Sequence, residues 1–319
     1  MADPDGAFDV VIAGGGVIGS AVAYFLAAHP RFDGRILVCE PDPTYRFAAS
    51  ALSASSIRQQ YSTAINIDIS LYGISFLRRV GEILEVGGDR PEIGLKEGGY
   101  LFLATDKGRA VLEENHRLQT ARGADILLET PAELQRRFPW LCVDDIAAGT
   151  WGRTGEGWFD GYGLMQAFRR KARALGVEYR AAKVAEIARA GGRVGAATLD
   201  DGTAIACGAF VNAAGASGAR ALLRRMDADL PIEARKRMVF YFECRDEVAH
   251  CPLLIDPSGV YVRPEGKGFI CGSAPAADND PENHADFDVE HGFFDDVIWP
   301  TLAARVPAFE AAPGPGTTT

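Results

Sequence analysis

Residues 8–28 read FDVVIAGGGVIGSAVAYFLAA. The first six form an apolar run of strand length, as a strand buried on both faces of a parallel sheet requires. Gly14, Gly16 and Gly19 follow with G-x-G-x-x-G spacing. In that spacing the first glycine permits a tight turn, the second lets backbone approach a pyrophosphate, and the third lets a helix pack closely on the strand. Val17, Ile18, Ala21, Val22, Phe25 and Leu26 then share one side of a helix. The N-terminus of that helix aims free N–H groups and a positive dipole end at phosphates. A second apolar run, RILVCE, ends on Glu40. An acid there accepts hydrogen bonds from ribose hydroxyls and disfavours a 2′-phosphate. Strand, glycine turn, helix, strand and acid occur in order, so residues 8–40 read as a dinucleotide-binding unit. The turn by itself does not separate NAD from FAD, which share an ADP half.

Beyond Glu40 the chain departs from regular βα repeats. From Ser50 it runs SALSASSIRQQYS, small and hydroxyl-rich, so that backbone can come close to a planar ring. From about Ile65 the apolar spacing suits a helix. After residue 177 the sequence reads as a strand, a hairpin through AGGR, a turn at LDDGT and a last strand AFVNAAG. That strand ends in Ala213, Ala214 and Gly215, before another helix start. Residues 94–145 hold the strand-like GGYLFLAT, an amphipathic helix over KGRAVLEENHRLQTARG, and ADILLETPAELQRRFPWL. Residues 230–274 hold the short runs RMVFYFEC, PLLID, GVYVRPE and GFICGSA, which read as an antiparallel sheet.

The bulk properties exclude some partners. Formal charge is 33 minus 43, or −10, without a long run of either sign, and nucleic-acid binding needs a basic face. No apolar run reaches the ~18 residues of a membrane span. The start, MADPDGAFDV, has neither the basic nor the apolar region of a signal peptide. Six cysteines lie far apart without C-x-x-C spacing, which reads as reduced thiols and a cytoplasmic chain. The five histidines show no metal-ligand spacing, so no metal is expected.

Together these features resemble the FAD-dependent D-amino-acid-oxidase-like (DAO) family, which includes glycine oxidase, sarcosine oxidase and the dimethylglycine dehydrogenases. The resemblance covers nearly the whole chain and rests on VVIAGGGVIGSAVAYFL with Glu40, SALSASSIRQQYS, GWFDGYGLMQAFRRKARALGVEY and VNAAGASG. SIRQQYS, KEGGYLFLAT, EARKRMVFYFEC and HGFFDDVIWPTLAARVPAFE further resemble the FAD-dependent oxidoreductase-domain proteins related to a complex I assembly factor. The implied fold class is α/β, a Rossmann-like FAD domain of the glutathione-reductase type beside an α+β substrate domain rich in antiparallel sheet. Residues 1–88 and 150–225 would form the discontinuous FAD domain, 89–149 and 226–309 the substrate domain, and 310–319 a disordered tail.

The same resemblance implies site residues. Gly14, Gly16 and Gly19, with Val17 and Ile18 beside them, would hold the pyrophosphate, and Glu40 the adenosine ribose. Ser50, Ser53, Ala54 and Ser55 would lie beside the flavin, Val184 would meet the adenine through its backbone, and Ala214 and Gly215 would close over the ADP half. Covalent members attach flavin through His or Cys; Ser50–Arg58 contains neither, so FAD is expected to be non-covalent.

An amino-acid substrate needs a cation for its carboxylate, best a guanidinium that bonds bidentately. Arg58 aligns with an arginine near the flavin in sarcosine-oxidase-like members, although a plain salt bridge would also explain an arginine here. Tyr261 and Arg263 alternate in GVYVRPE and share one strand face. On the flavin side they would bind substrate; on the other they would be solvated. Tyr241 reads equally as core, and Arg235, Lys236 and Arg237 as a solvated charge run.

The implied reaction is oxidation of the C–N bond of a small, N-methyl amino acid or secondary amine by hydride transfer to flavin N5, with oxygen or another redox protein as acceptor. Other readings are an assembly or interaction flavoprotein with weak or lost catalysis, or a truncated inactive homologue. An NAD-dependent dehydrogenase is disfavoured by the Ser50–Arg58 loop and the late NAAG strand. Family members run on well past a PAFE-like segment, whereas this chain ends in AAPGPGTTT. The expectation is a truncated or frameshifted product or a fragment, or else a partner chain that supplies the missing flavin wall.

Overall fold

The computed structural model describes residues 6–226, 228–283 and 286–311. His284 and residues 312–319, most of the stretch expected as a tail, lie outside the described residues. Among the described residues the strands are, in chain order, β1 (Phe8–Ala13), β2 (Ile36–Glu40), β3 (Ser56–Ile57), β4 (Tyr100–Ala104), β5 (Ile126–Glu129) and β6 (Ala148–Gly152). They continue with β7 (Gly157–Trp158), β8 (Glu178–Ala181), β9 (Val184–Ala190), β10 (Arg193–Leu199) and β11 (Ala204–Asn212). The last are β12 (Val239–Phe242), β13 (Leu253–Ile255), β14 (Tyr261–Glu265) and β15 (Gly268–Gly272).

The first sheet runs β8-β2-β1-β11-β10-β9. Strands β8, β2, β1 and β11 are parallel, while β9, β10 and β11 form an antiparallel meander through the two turns expected at AGGR and LDDGT. β1 and β2 are apolar at consecutive positions because both faces are covered. Val10, Ile12, Ile36 and Val38 meet Tyr24, Phe76, Leu164 and Phe168 from the helices Val17–Ala27, Ala64–Leu77 and Gly161–Ala174. Val11, Leu37 and Cys39 point the other way, onto Ile187, Ala197 and Leu199.

The first helix sits closer to the sheet than its apolar pattern implies. Its buried residues are Gly19, Ser20, Ala23 and Tyr24, whereas Ile18 is 66% and Phe25 43% exposed. Gly19, Ser20 and Ala23 take the inner face beside Tyr24 because small residues let the helix axis approach the strands, and Ile18 and Phe25 turn outward.

The second sheet runs β12-β15-β14-β13-β4-β6-β5. Its pairings are antiparallel except that β13 lies parallel to β4. β4 and β13 belong to two separate passages of the chain through this sheet, with β8–β11 of the first sheet between them. No hairpin forces their direction, so a parallel pair is open to them. One face of the sheet buries Leu101, Leu103, Phe240, Phe242, Leu254 and Val262 against the helices that flank it.

Pro307–Ala311 forms a 3-10 turn that seats Phe309 in this core, its ring 5.0 Å from Phe242 and 4.9 Å from Phe269. Residues 310 and 311 therefore belong to this turn, where the composition suggested a disordered tail. Among the described residues no helix is long and apolar enough to cross a membrane.

Arg305, at the end of the helix Trp299–Arg305, ties that helix to the second sheet. Its Nε donates to Asp256 Oδ2 at 2.8 Å, and its Nη1 donates to the Cys142 carbonyl at 2.6 Å and Asp145 Oδ1 at 2.8 Å. Arg305 and Asp256 are each 7% exposed. Removing one partner of a buried ion pair leaves an uncompensated charge, so Arg305→Ala is expected to cost about 3–5 kcal/mol. Urea unfolding checks this; a loss below about 1 kcal/mol, as for a surface pair, contradicts it.

Candidate active site

The glycine turn is a place where three backbones touch. Gly14 has φ +95° and donates its amide to the Cys39 carbonyl at 2.8 Å. A Cβ on Gly14 would stand 2.3 Å from the Ala213 carbonyl oxygen, and one on Gly19 would stand 1.9 Å from the Gly14 carbonyl oxygen. Neither position admits a side chain, so the helix N-terminus is pinned at the end of β1. Gly16, the N-cap, makes no side-chain cap, and the first turn contains no acid. Val17 donates its amide to Ser50 Oγ at 2.9 Å. The amides of Ile18 and Gly19 have no intrahelical acceptor.

Glu40, at the end of β2, accepts the Gly15 amide on Oε2 at 2.8 Å and the Asp42 amide on Oε1 at 3.0 Å. The structure thus brings Gly14, Gly16, Val17, Ile18, Gly19, Glu40 and Ser50 around one turn. Ala214 and Gly215 stand at the end of β11, next to β1, where Ala214 caps the helix Gly215–Arg224 without a side-chain bond. Val184 opens β9; the whole residue is 4% exposed, and it pairs with Leu199.

Residues 50–58 run from this turn to the second sheet. Ser50 lies in the short helix Ala49–Leu52, and Ser53 Oγ accepts the Ser55 amide at 3.1 Å. Ser55 has φ +44°, and its carbonyl accepts the Phe159 amide at 3.2 Å. β3 pairs with β7, and Ser56 Oγ accepts the Tyr100 hydroxyl at 2.5 Å.

The face of the second sheet turned away from its core carries Tyr100, Phe102, Leu253, Ile255 and Tyr261, packed with Trp158. Arg58 lies across it, its guanidinium 4.7 Å from the Tyr61 ring, 5.6 Å from Phe102 and 6.0 Å from Tyr100. Its Nε is buried without a hydrogen-bond partner. Among the described residues no carboxylate pairs with Arg58.

Tyr261 and Arg263 share this face: Arg263 reaches Ala54, while the Tyr261 ring packs with Tyr100, Trp158 and Leu253. Burial pushes the Tyr261 hydroxyl up to about 12. Arg263 is 4% exposed and occupied: Nη2 donates to the Ala54 carbonyl at 2.7 Å, Nη1 pairs with Glu265, and the guanidinium lies 5.3 Å from the Trp158 ring. The charge run is neutralised as well. Arg235 pairs with Glu233, Lys236 with Asp286 and Glu290, and Arg237 with Asp280. Tyr241 donates to Glu243 Oε1 at 3.2 Å. Among the described residues no three His, Cys, Asp or Glu side chains gather as a metal site, and all six cysteines are free.

Pattern reading misses the polar group beneath Arg58. Glu156, fully buried, accepts the Gln59 amide at 2.5 Å and the Gln60 amide at 3.1 Å on Oε1, and Gln60 Nε2 at 2.8 Å on Oε2. Burial pushes its carboxyl up to about 7 against the opposing pull of Gln60, the Gln59 amide and the Arg58 charge. The only sequence signal is an acid between Gly155 and Gly157 ahead of Trp158, and nothing in it announces burial.

A family model described as FAD dependent oxidoreductase matches residues 9–315. A Xenopus laevis protein named FAD-dependent oxidoreductase domain-containing protein 1 is 39% identical over 95% of this chain and 67% of that protein. Its Bos taurus counterpart is 36% identical over 95% of this chain and 69% of that protein, so the chain spans about two thirds of these relatives. Among solved structures, L-proline dehydrogenase from P. horikoshii superposes with a TM-score of 0.82 at 20% identity, over 98% of this chain and 80% of that one. Glycine oxidase from Geobacillus kaustophilus does so with a TM-score of 0.79 at 22% identity, over 97% and 80%. At these identities the likeness shows the α/β fold. The residues at the turn fit FAD on their own chemistry: neither helix N-terminus carries a first-turn acid, the Ile18 and Gly19 amides would be free to meet a phosphate, and Glu40 offers carboxylate oxygens to hydroxyls.

Glu156 has a measurable consequence for stability. Its folded pKa of about 7 lies above the ordinary 4.5, so the folded state keeps a proton that the unfolded chain has lost. Stability from this group is therefore present below the ordinary value and falls as pH rises toward 7, by about 3 kcal/mol. Comparing urea unfolding of wild type and Glu156→Gln at pH 5 and pH 8 should show the wild type losing about that much relative to the variant. A difference that does not move with pH contradicts the assignment.

Proposed function

The chain belongs to the FAD-dependent oxidoreductase family, and we propose that it oxidises the C–N bond of a small amino acid, N-methylated or otherwise a secondary amine, anchored through its carboxylate at Arg58. The observation that carries this reading is a guanidinium framed by three aromatic rings, with a buried Nε and no carboxylate partner among the described residues. An arginine held in that state is poised for an anion from outside the chain, and a carboxylate matches its fork bidentately. The rings exclude water from the guanidinium faces, which strengthens its attraction for that anion.

In this reading Gly14, Gly16, Val17, Ile18 and Gly19 hold the pyrophosphate of a non-covalent FAD, Glu40 its ribose, Val184 the adenine, and Ala214 and Gly215 the rest of the ADP half. Ser50, Ser53, Ala54 and Ser55 line the flavin side, and Arg263 keeps that stretch in place through the Ala54 carbonyl. FAD, when bound, supplies the acceptor for the two electrons and the hydrogen that leave the C–N bond. The chain's own residues position the substrate: Arg58 fixes the carboxylate, and Phe102, Ile255 and Tyr261 offer apolar surface to the rest. The names of the solved relatives, L-proline dehydrogenase and glycine oxidase, are in keeping with an amino acid as substrate.

Anaerobic addition of sarcosine, N-methylalanine or proline to the FAD-loaded chain, followed in the visible flavin band, tests this. At least one acid should bleach the band. The corresponding amide, and the acid with Arg58→Met, should react about a hundredfold more slowly, the worth of a charge-assisted bidentate contact. Amides that react as fast as acids, or an Arg58→Met variant as fast as wild type, contradict the anchor.

A further inference from the structure

Arg58 is held in an unusual way. On its N-terminal side is the two-residue strand β3, and beyond it residues 59–62 belong to no helix or strand. Its own carbonyl accepts the Ser70 hydroxyl. What fixes the backbone after it is a closed polar network. Glu156 takes the Gln59 and Gln60 amides and Gln60 Nε2, and Gln60 Nε2 also reaches the Tyr100 carbonyl at 3.2 Å. Thr150 Oγ1 donates to Gln60 Oε1 at 2.6 Å, and Gln59 Nε2 donates to the Gly155 carbonyl at 2.7 Å. Glu156, Gln59, Gln60 and Thr150 are all buried. β6 makes room for the carboxylate, since a Cβ on Gly152 would stand 1.9 Å from Glu156 Oε2.

A buried carboxylate is a costly way to hold a loop, and packed apolar residues serve stability as well or better. The network does something apolar packing cannot. It fixes the direction of two successive amides immediately after the arginine, and so the point from which the Arg58 side chain leaves the backbone. We propose that Glu156 is the positioning residue for Arg58: its carboxylate clamps Gln59 and Gln60 to β4 and β6, so that the guanidinium stays over Tyr61, Tyr100 and Phe102 with its edge free for the substrate carboxylate. This inference rests on Arg58 being the carboxylate anchor.

The test is equilibrium binding of benzoate and benzamide to the FAD-loaded chain by titration calorimetry, since their affinity ratio isolates the carboxylate contact. Wild type prefers benzoate, and Arg58→Met removes that preference. Glu156→Gln, which sets an amide donor against Gln60 Nε2, lowers the preference about tenfold at unchanged FAD content, as expected for a lost charge-assisted bond. If Glu156→Gln does not fold, Thr150→Val unpins Gln60 without touching the carboxylate and lowers the preference in the same direction. Glu156→Gln or Thr150→Val at the wild-type ratio overturns the positioning role, including the case where both affinities fall together, the mark of a merely structural residue. In either case the anchor stands if Arg58→Met still removes the preference. A wild type without preference, or an Arg58→Met variant that keeps it, overturns the anchor and this inference with it.

Discussion

Everything in the candidate site is built outward from the contact between the Gly14 carbonyl and Gly19. A Cβ at residue 19 would stand inside that oxygen's radius, so strand and helix approach as closely as two backbones can. The contact sets where the helix begins, and with it the direction in which the Val17, Ile18 and Gly19 amides point. Glu40 is then near enough to take the Gly15 amide, and Ser50 to take the Val17 amide. The contact also explains why small residues face the sheet and Ile18 and Phe25 face outward.

From Ser50 the chain has a short distance to cover before it meets the second sheet, and it is fastened along the way. Arg263 holds the Ala54 carbonyl, Tyr100 holds Ser56, and Glu156 holds Gln59 and Gln60. Two arginines on one apolar face divide the labour. Arg263 spends its terminal nitrogens on the Ala54 and Pro264 carbonyls and on Glu265, and Arg58 keeps its edge unspent. A guanidinium stacked on aromatic rings retains its charge while its faces are dry, which suits recognition of a planar anion.

The glycine spacing, the acid at the end of β2 and the meander before AFVNAAG could be read directly, because each depends on neighbours close in sequence. The parallel pairing of β13 with β4 could not, since it depends on two passages of the chain through one sheet. Alternation placed Tyr261 and Arg263 on one face, but only the fold shows that Arg263 is already bonded to Ala54. Glu156 escaped notice for a related reason. Its partners lie nearly a hundred residues away, so only the fold makes it the buried centre of a network.

The central claim is that the open face of the second sheet presents Arg58 to a carboxylate beside a FAD held at the glycine turn. The most direct measurement is a crystal structure of the chain grown with FAD and benzoate. The pyrophosphate is expected at the Ile18 and Gly19 amides, and both benzoate oxygens about 3 Å from the Arg58 guanidinium nitrogens. Benzoate bound elsewhere, with Arg58 turned to a protein carboxylate, would contradict it.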